Sequence, residues 1–189
     1  MRKLLFTFVF AIMSITAFAQ GEHMTFKGIP MQGPLNDFVQ KLKGKGFTLM
    51  ESTKETAILN GKFATYDNCY VYVYTEKNNV SSVAVMFPEQ ETWNAITKRY
   101  YNLKEMLTEK YGAPVATIER FSDREPVSDV MRFFAILKDE CKYQSTFETK
   151  NGSMILSMIK VNFNTASVFI KYNDNINEEE LRKTMMDDL

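Results

Sequence analysis

The side chains best suited to nucleophilic or metal chemistry are scarce in this chain, which has one histidine, His23, and two cysteines, Cys69 and Cys141. Neither an HExxH nor a Cys-x-x-Cys spacing occurs, so a zinc site would have to be assembled from scattered carboxylates, and His23 reads as a solvated residue near the N-terminus. A Cys–His dyad would need one of two cysteines sitting in strand patterns to meet that lone imidazole. The chain also has no G-x-S-x-G elbow and no G-x-x-x-x-G-K phosphate loop. The acidic runs at 178–180 and 187–188 lack the spacing and the central glycine of a calcium loop. Glu148, between Phe147 and Thr149, is the carboxylate with the most apolar neighbours, and strand alternation accounts for it. No catalytic residue, metal or cofactor is therefore expected.

One feature rises above that background. Tyr70, Tyr72 and Tyr74 alternate with Val71 and Val73, and side chains alternate across a strand, so the three rings share one face, with Tyr66 nearby. Such a row can act as an aromatic platform of the kind enriched at protein interfaces and carbohydrate-facing surfaces. The competing reading places the row beneath the helix at 92–111, with Trp93, Tyr100 and Tyr111 packed on it, because an apolar helix stripe needs a sheet face to cover.

The cysteines offer a second possibility. They are separated by 72 residues, and a bridge closing that loop would add roughly 4 kcal/mol in the simple chain-entropy account. An exported chain with two cysteines has one intramolecular pairing, which favours a Cys69–Cys141 disulfide; the alternative is two buried thiols acting as small hydrophobes.

Export is expected from residues 1–19, where Met-Arg-Lys precedes an apolar stretch and Ala17-Phe18-Ala19 supplies small residues at the positions a signal peptidase reads. The run is too short and too interrupted by Thr7, Ser14 and Thr16 for a membrane span, so cleavage before Gln20 and a periplasmic or secreted mature chain are expected. Losing Arg2 and Lys3 takes the 23 basic residues to 21 against 23 acidic ones, a net charge of −2. With no basic run longer than a pair, nucleic acid and acidic membranes are not expected partners.

The remainder, 20–189, reads as one α+β domain. Leu35, Phe38, Val39 and Leu42 form a helix stripe after Gly33-Pro34, with Pro34 suited to the first helical position, and a second stripe runs from Trp93 to Tyr111, stopped by Gly112 and Pro114. Strand patterns fall at 47–52, 56–64, 68–75 and 82–87, then near 115–120, 131–137, 141–149, 153–161 and 166–172. Asn60-Gly61 and Asn78-Asn79 signal a turn or bulge, and Asn151-Gly152 a type I′ hairpin. A C-terminal helix is expected at 177–189, where Asn177 and Glu180 resemble a capping box. At an offset of 72, Cys69, Glu76, Asn79, Ser81 and Met86 match Cys141, Glu148, Asn151, Ser153 and Met158. The order of elements points the same way, to two helix-plus-four-strand repeats at about 24–88 and 89–173, with antiparallel sheet and helices packed on one face.

The stretch from His23 to Pro30, the helix end from Tyr101 to Gly112, and Cys141-Lys142-Tyr143 resemble a family of uncharacterised secreted proteins from Gram-negative gut bacteria. The resemblance implies export and carries no activity or site residues. The tandem element order is also similar to the β-lactamase inhibitor protein architecture, a likeness of topology that says little about function. The expected function is a non-catalytic binding or interaction module for a protein, peptide or glycan, with Tyr70, Tyr72 and Tyr74 as binding residues. The alternatives are a hydrolase of envelope or dietary polymers using an acidic pair, and a self-associating structural component of the envelope.

Overall fold

A computed structural model describes residues 22–187, so the expected signal segment 1–19 lies outside the described residues. The elements run β1 (Thr25–Phe26), β2 (Ile29–Pro30), α1 (Leu35–Lys43), β3 (Thr48–Ser52), β4 (Thr56–Phe63), β5 (Tyr66–Glu76) and β6 (Asn79–Met86). They continue through α2 (Trp93–Tyr111), β7 (Ala116–Phe121), α3 (Asp129–Leu137), β8 (Cys141–Thr149), β9 (Gly152–Lys160), β10 (Ala166–Asp174) and α4 (Asn175–Asp187). The eight longer strands form one antiparallel sheet in the order β3-β4-β5-β6-β10-β9-β8-β7, while β1 and β2 pair separately. The fold is thus α+β and antiparallel, and two meanders meet through their last strands, with Val85 opposite Ile170.

Register sorts the side chains. Leu59, Val71, Val85, Ile170, Leu156 and Ser145 lie in one cross-strand row and are all buried. The neighbouring row on that face, Ala57, Val73, Val83, Tyr172, Met154 and Phe147, is buried as well. The α1 stripe of Leu35, Phe38, Val39 and Leu42 is buried, as is the α2 stripe of Ile96, Tyr100, Leu103 and Leu107. Each such side chain contributes roughly 1.5–3 kcal/mol on leaving water. On α2 the start is fixed by Thr92, whose hydroxyl accepts from the Ala95 N–H, and the stop by Gly112, with a φ of 89° that favours glycine. Pro34, expected inside α1, is its N-cap instead, with an extended ψ of 146°.

Several expectations are corrected. The segment 131–137, read as a strand, belongs to α3: the Ser128 hydroxyl caps the helix by accepting from the Met131 N–H, and Phe133, Ile136 and Leu137 are buried at helical spacing. The Asn151-Gly152 hairpin is not type I′. Its loop is Lys150-Asn151, none of residues 150–152 has a positive φ, and the Thr149 hydroxyl accepts from the N–H groups of Asn151 and Gly152. Gly152 serves close packing, since a Cβ there would lie 2.6 Å from Met24 Sδ and would collide with the Asn173 carbonyl. Positive φ at both loop positions occurs instead at Ala64-Thr65 and Lys77-Asn78, and the Gly61 signal marks a β-bulge. The matches at an offset of 72 superpose the β5–β6 hairpin on β8–β9, which are the third and fourth strands of one meander and the second and third of the other. Those identities therefore do not join topologically equivalent strands.

The expected disulfide is also corrected. Cys69 on β5 and Cys141 on β8 are free thiols with β6, β10 and β9 between their strands. At ~4.8 Å per strand the gap is about 19 Å, far beyond the ~7 Å that a disulfide tolerates between Cα atoms. Burial pushes each thiol up to about 11.

The N-terminal segment, for which the spacing predicts no element, is part of the core. Met24, Phe26, Ile29 and Met31 are buried, and Phe26 stacks on Phe63 at 5.4 Å and meets Tyr172 edge-on. His23 is half-buried, and its Nδ1 lies 3.1 Å from Oδ1 of the fully buried Asp174. The same carboxylate accepts from the Met24 N–H and, at 2.9 Å, from the Asn177 N–H. Asp174 therefore caps α4, which starts ahead of the expected position, and Asn177 is buried, donating to the carbonyls of Met31 and Val80.

Replacing Asp174 with Ala orphans two buried N–H groups, and each costs roughly 1–3 kcal/mol. Urea unfolding of Asp174→Ala is expected to show a loss of about 3 kcal/mol. Thermal unfolding of the parent chain with and without dithiothreitol is expected to give the same midpoint, because no bridge is there to reduce.

Candidate binding face

On the sheet face opposite the buried rows, Tyr70, Tyr72 and Tyr74 stand together, as the alternation along β5 requires. The central row is Ile58, Tyr72, Ala84, Lys171, Ile155 and Thr146, one residue from each of six adjacent strands. Beside it lie Asn60, Tyr70, Met86, Phe169, Ser157 and Gln144. A third row, carrying Tyr74, Ser82, Asn173, Ser153 and Glu148, is more polar. At ~4.8 Å per strand and ~3.3 Å per residue, the three rows span about 24 by 13 Å.

Tyr70 and Tyr74 are 38% and 36% exposed, and Tyr72 between them is half-buried. Ala84 points to this face and is fully buried, which places the side chains of its flanking partners Tyr72 and Lys171 over it. Burial, then the neighbouring Tyr74 and Tyr70 hydroxyls, raises the Tyr72 phenol above its ordinary value, and burial raises that of Tyr74. Both phenols are neutral at physiological pH and serve as hydrogen-bond donors and acceptors on an apolar ground.

The α2 aromatics expected to cover this row engage other residues. Tyr100 bonds the Ser145 hydroxyl at 2.8 Å, and Ser145 belongs to the buried row on the opposite face. Trp93 packs on Phe121 and Tyr143, which share that opposite face by register. Tyr66 is not part of the platform. Asn68, with a φ of 57°, breaks the alternation ahead of Tyr70, and Tyr66 meets the buried Phe87 edge-on at 5.3 Å with the Arg99 guanidinium 5.0 Å from its ring centre.

Lys171, Phe169, Met86, Ile58 and Ile155 complete the face and were not singled out from sequence. Alternation within 166–172 marks Phe169 and Lys171 as sharing a side, but only the β6–β10 pairing brings that side beside the tyrosines. Glu148 lies on the same face and is exposed. Other carboxylates have assigned partners: Glu119 pairs with Lys104 at 2.6 Å, and Glu89 accepts from Asn162 at 3.1 Å.

No family model, curated protein or solved structure matches the chain. Among the described residues no helix is long and apolar enough to cross a membrane, and no cluster of potential metal ligands occurs.

The folded chain holds protons that the unfolded chain releases. Burial raises Cys69 and Cys141 to about 11 from an ordinary 9.0, and raises Tyr143 to about 12 from an ordinary 10.0. Groups with raised values in the folded state contribute stability below the ordinary value and lose it as pH climbs through the raised one. The urea midpoint is therefore expected to fall steadily from about pH 9 towards pH 12. A flat profile across that range would contradict the burial of these groups.

Proposed function

We propose that the chain is an exported, non-catalytic binding module that uses the face carrying Tyr70, Tyr72 and Tyr74 to hold a protein, peptide or glycan. The observation that carries this reading is an aromatic and aliphatic surface, six strands wide, on a sheet whose other face is sealed. In this reading the molecule is built from two helix-plus-four-strand units whose helices cover one side of the joined sheet and leave the other free. Residues 1–19 direct export, and the mature chain folds once they are removed.

The chemistry of the face suits recognition. Tyrosine offers a large contact area with two side-chain torsions, so little conformational freedom is lost on binding. A backbone already fixed in a sheet adds no ordering cost of its own. Lys171 stands in the middle of the apolar rows and gives a partner's carboxylate or hydroxyl one charge to find. A hydrolase using an acidic pair is the weaker reading, because a general acid needs a desolvated carboxyl and Glu148 on this face is exposed.

The test is affinity capture from the native envelope extract with the immobilised mature chain, compared with a Tyr70→Ser, Tyr72→Ser, Tyr74→Ser variant of matching circular dichroism. The parent is expected to retain a component that the variant loses. Equal retention by both chains, or no retention above a heat-denatured control, would overturn the proposal.

A further inference from the structure

We infer that two copies of this chain associate through the apolar surface formed by α3 and the turn between β9 and β10. The core side of α3 is filled by Phe133, Ala135, Ile136 and Leu137. Its opposite side is apolar too: Val130 and Met131 are exposed, and Phe134 is 52% exposed. Asp129 and Arg132 are the only polar residues of this helix, so it is apolar on two opposite sides, and one of them lies open.

Beside α3 the β9–β10 turn presents Phe163 at 85% exposure. The turn is firmly built. The Val161 N–H donates to the Thr165 carbonyl at 3.0 Å, and the Asn162 side chain accepts from the N–H groups of Asn164 and Thr165 while donating to Glu89. A large apolar ring is thus held out into water by a turn that does not need it. Between Phe163 and α3 lies a cavity of about 390 Å³ lined by Trp93, Phe133, Phe134 and Leu137.

A protruding ring and an apolar hollow side by side on one surface are the elements of a self-complementary contact. In a two-fold dimer the same patch faces itself, so Phe163 of each copy can enter the hollow of the other. An apolar cavity of about 150 Å³ is enough to hold a benzene ring, so the space suffices for Phe163 and a neighbouring side chain. Val130, Met131, Phe134 and Phe163, at 66%, 57%, 52% and 85% exposure, together present roughly 400–500 Å² of largely apolar surface. That is more than half of the ~800 Å² per partner of a stable interface, and the polar rim at Glu91, Thr92, Asn94, Asp129 and Asn164 supplies the balance. The charges of α3 do not oppose the contact, because Arg132 is bonded to Asp129 at 2.8 Å and to Glu125 at 3.0 Å within the chain.

The experiment is sedimentation velocity on the mature chain from about 1 to 200 µM, for the parent, Phe163→Asp, Phe134→Asp and, as a control on the other sheet face, Tyr70→Ser with Tyr74→Ser. The parent is expected to pass from monomer to dimer within that range, and Phe163→Asp to weaken association by roughly tenfold or more, as for a central interface anchor. Phe163 is a surface residue, so at concentrations where the parent is monomeric its variant should keep the parent's unfolding midpoint, and the tyrosine control should dimerise normally. A parent that stays monomeric throughout overturns the inference, as does a dimer indifferent to Phe163→Asp. A parent that stays monomeric to 200 µM while its hollow takes up the dye 1-anilinonaphthalene-8-sulfonate would likewise overturn it, marking a small-ligand site instead.

Discussion

The antiparallel seam between β6 and β10 decides which side of this molecule is dry. Val85 faces Ile170 across it and Ala84 faces Lys171, so the two meanders share a single inside and a single outside. A slip of one residue would turn Val83, Val85 and their partners to water and bring Tyr70, Tyr72 and Tyr74 toward the core on the matching strands. The buried rows forbid that slip, because they run unbroken from Leu59 on β4 to Ser145 on β8. The tyrosine face therefore exists as a consequence of the core's register.

The ends of the sheet are closed by polar groups used sparingly. Asp174 gathers His23, the Met24 N–H and the first turn of α4, while Asn177 ties Met31 to Val80. A buried carboxylate with this many donors fixes the path of the N-terminal segment, which in turn lays Phe26 between Phe63 and Tyr172. The Tyr100–Ser145 bond plays the same part at the other meander, giving a fully buried hydroxyl its partner.

Local periodicity in the sequence carries much of this. The stripe from Trp93 to Tyr111 and the alternation around Tyr72 name their elements because both patterns are long and local. What is not legible depends on pairings distant in sequence. Nothing in residues 23–30 announces a core segment, since its partners Phe63, Tyr172 and Asp174 lie far along the chain. α3 was hidden by Phe133, Phe134 and Ile136, which favour strands, and the Ser128 cap with buried residues at 133, 136 and 137 was the signal for a helix. The disulfide expectation failed because two cysteines alone carry no information on strand order, and the order places three strands between them. The exposed tyrosines were identifiable as a row, whereas their neighbours Phe169 and Lys171 became part of the face only through the seam.

The central claim is that one face of the sheet is open to water while the other is sealed. The most direct measurement is covalent labelling of tyrosines in the native chain, read residue by residue by mass spectrometry. The account predicts that Tyr70 and Tyr74 react readily while Tyr100 and Tyr172, on the sealed side, stay protected until the chain is unfolded. Protection of Tyr70 and Tyr74 equal to that of Tyr100 would contradict it.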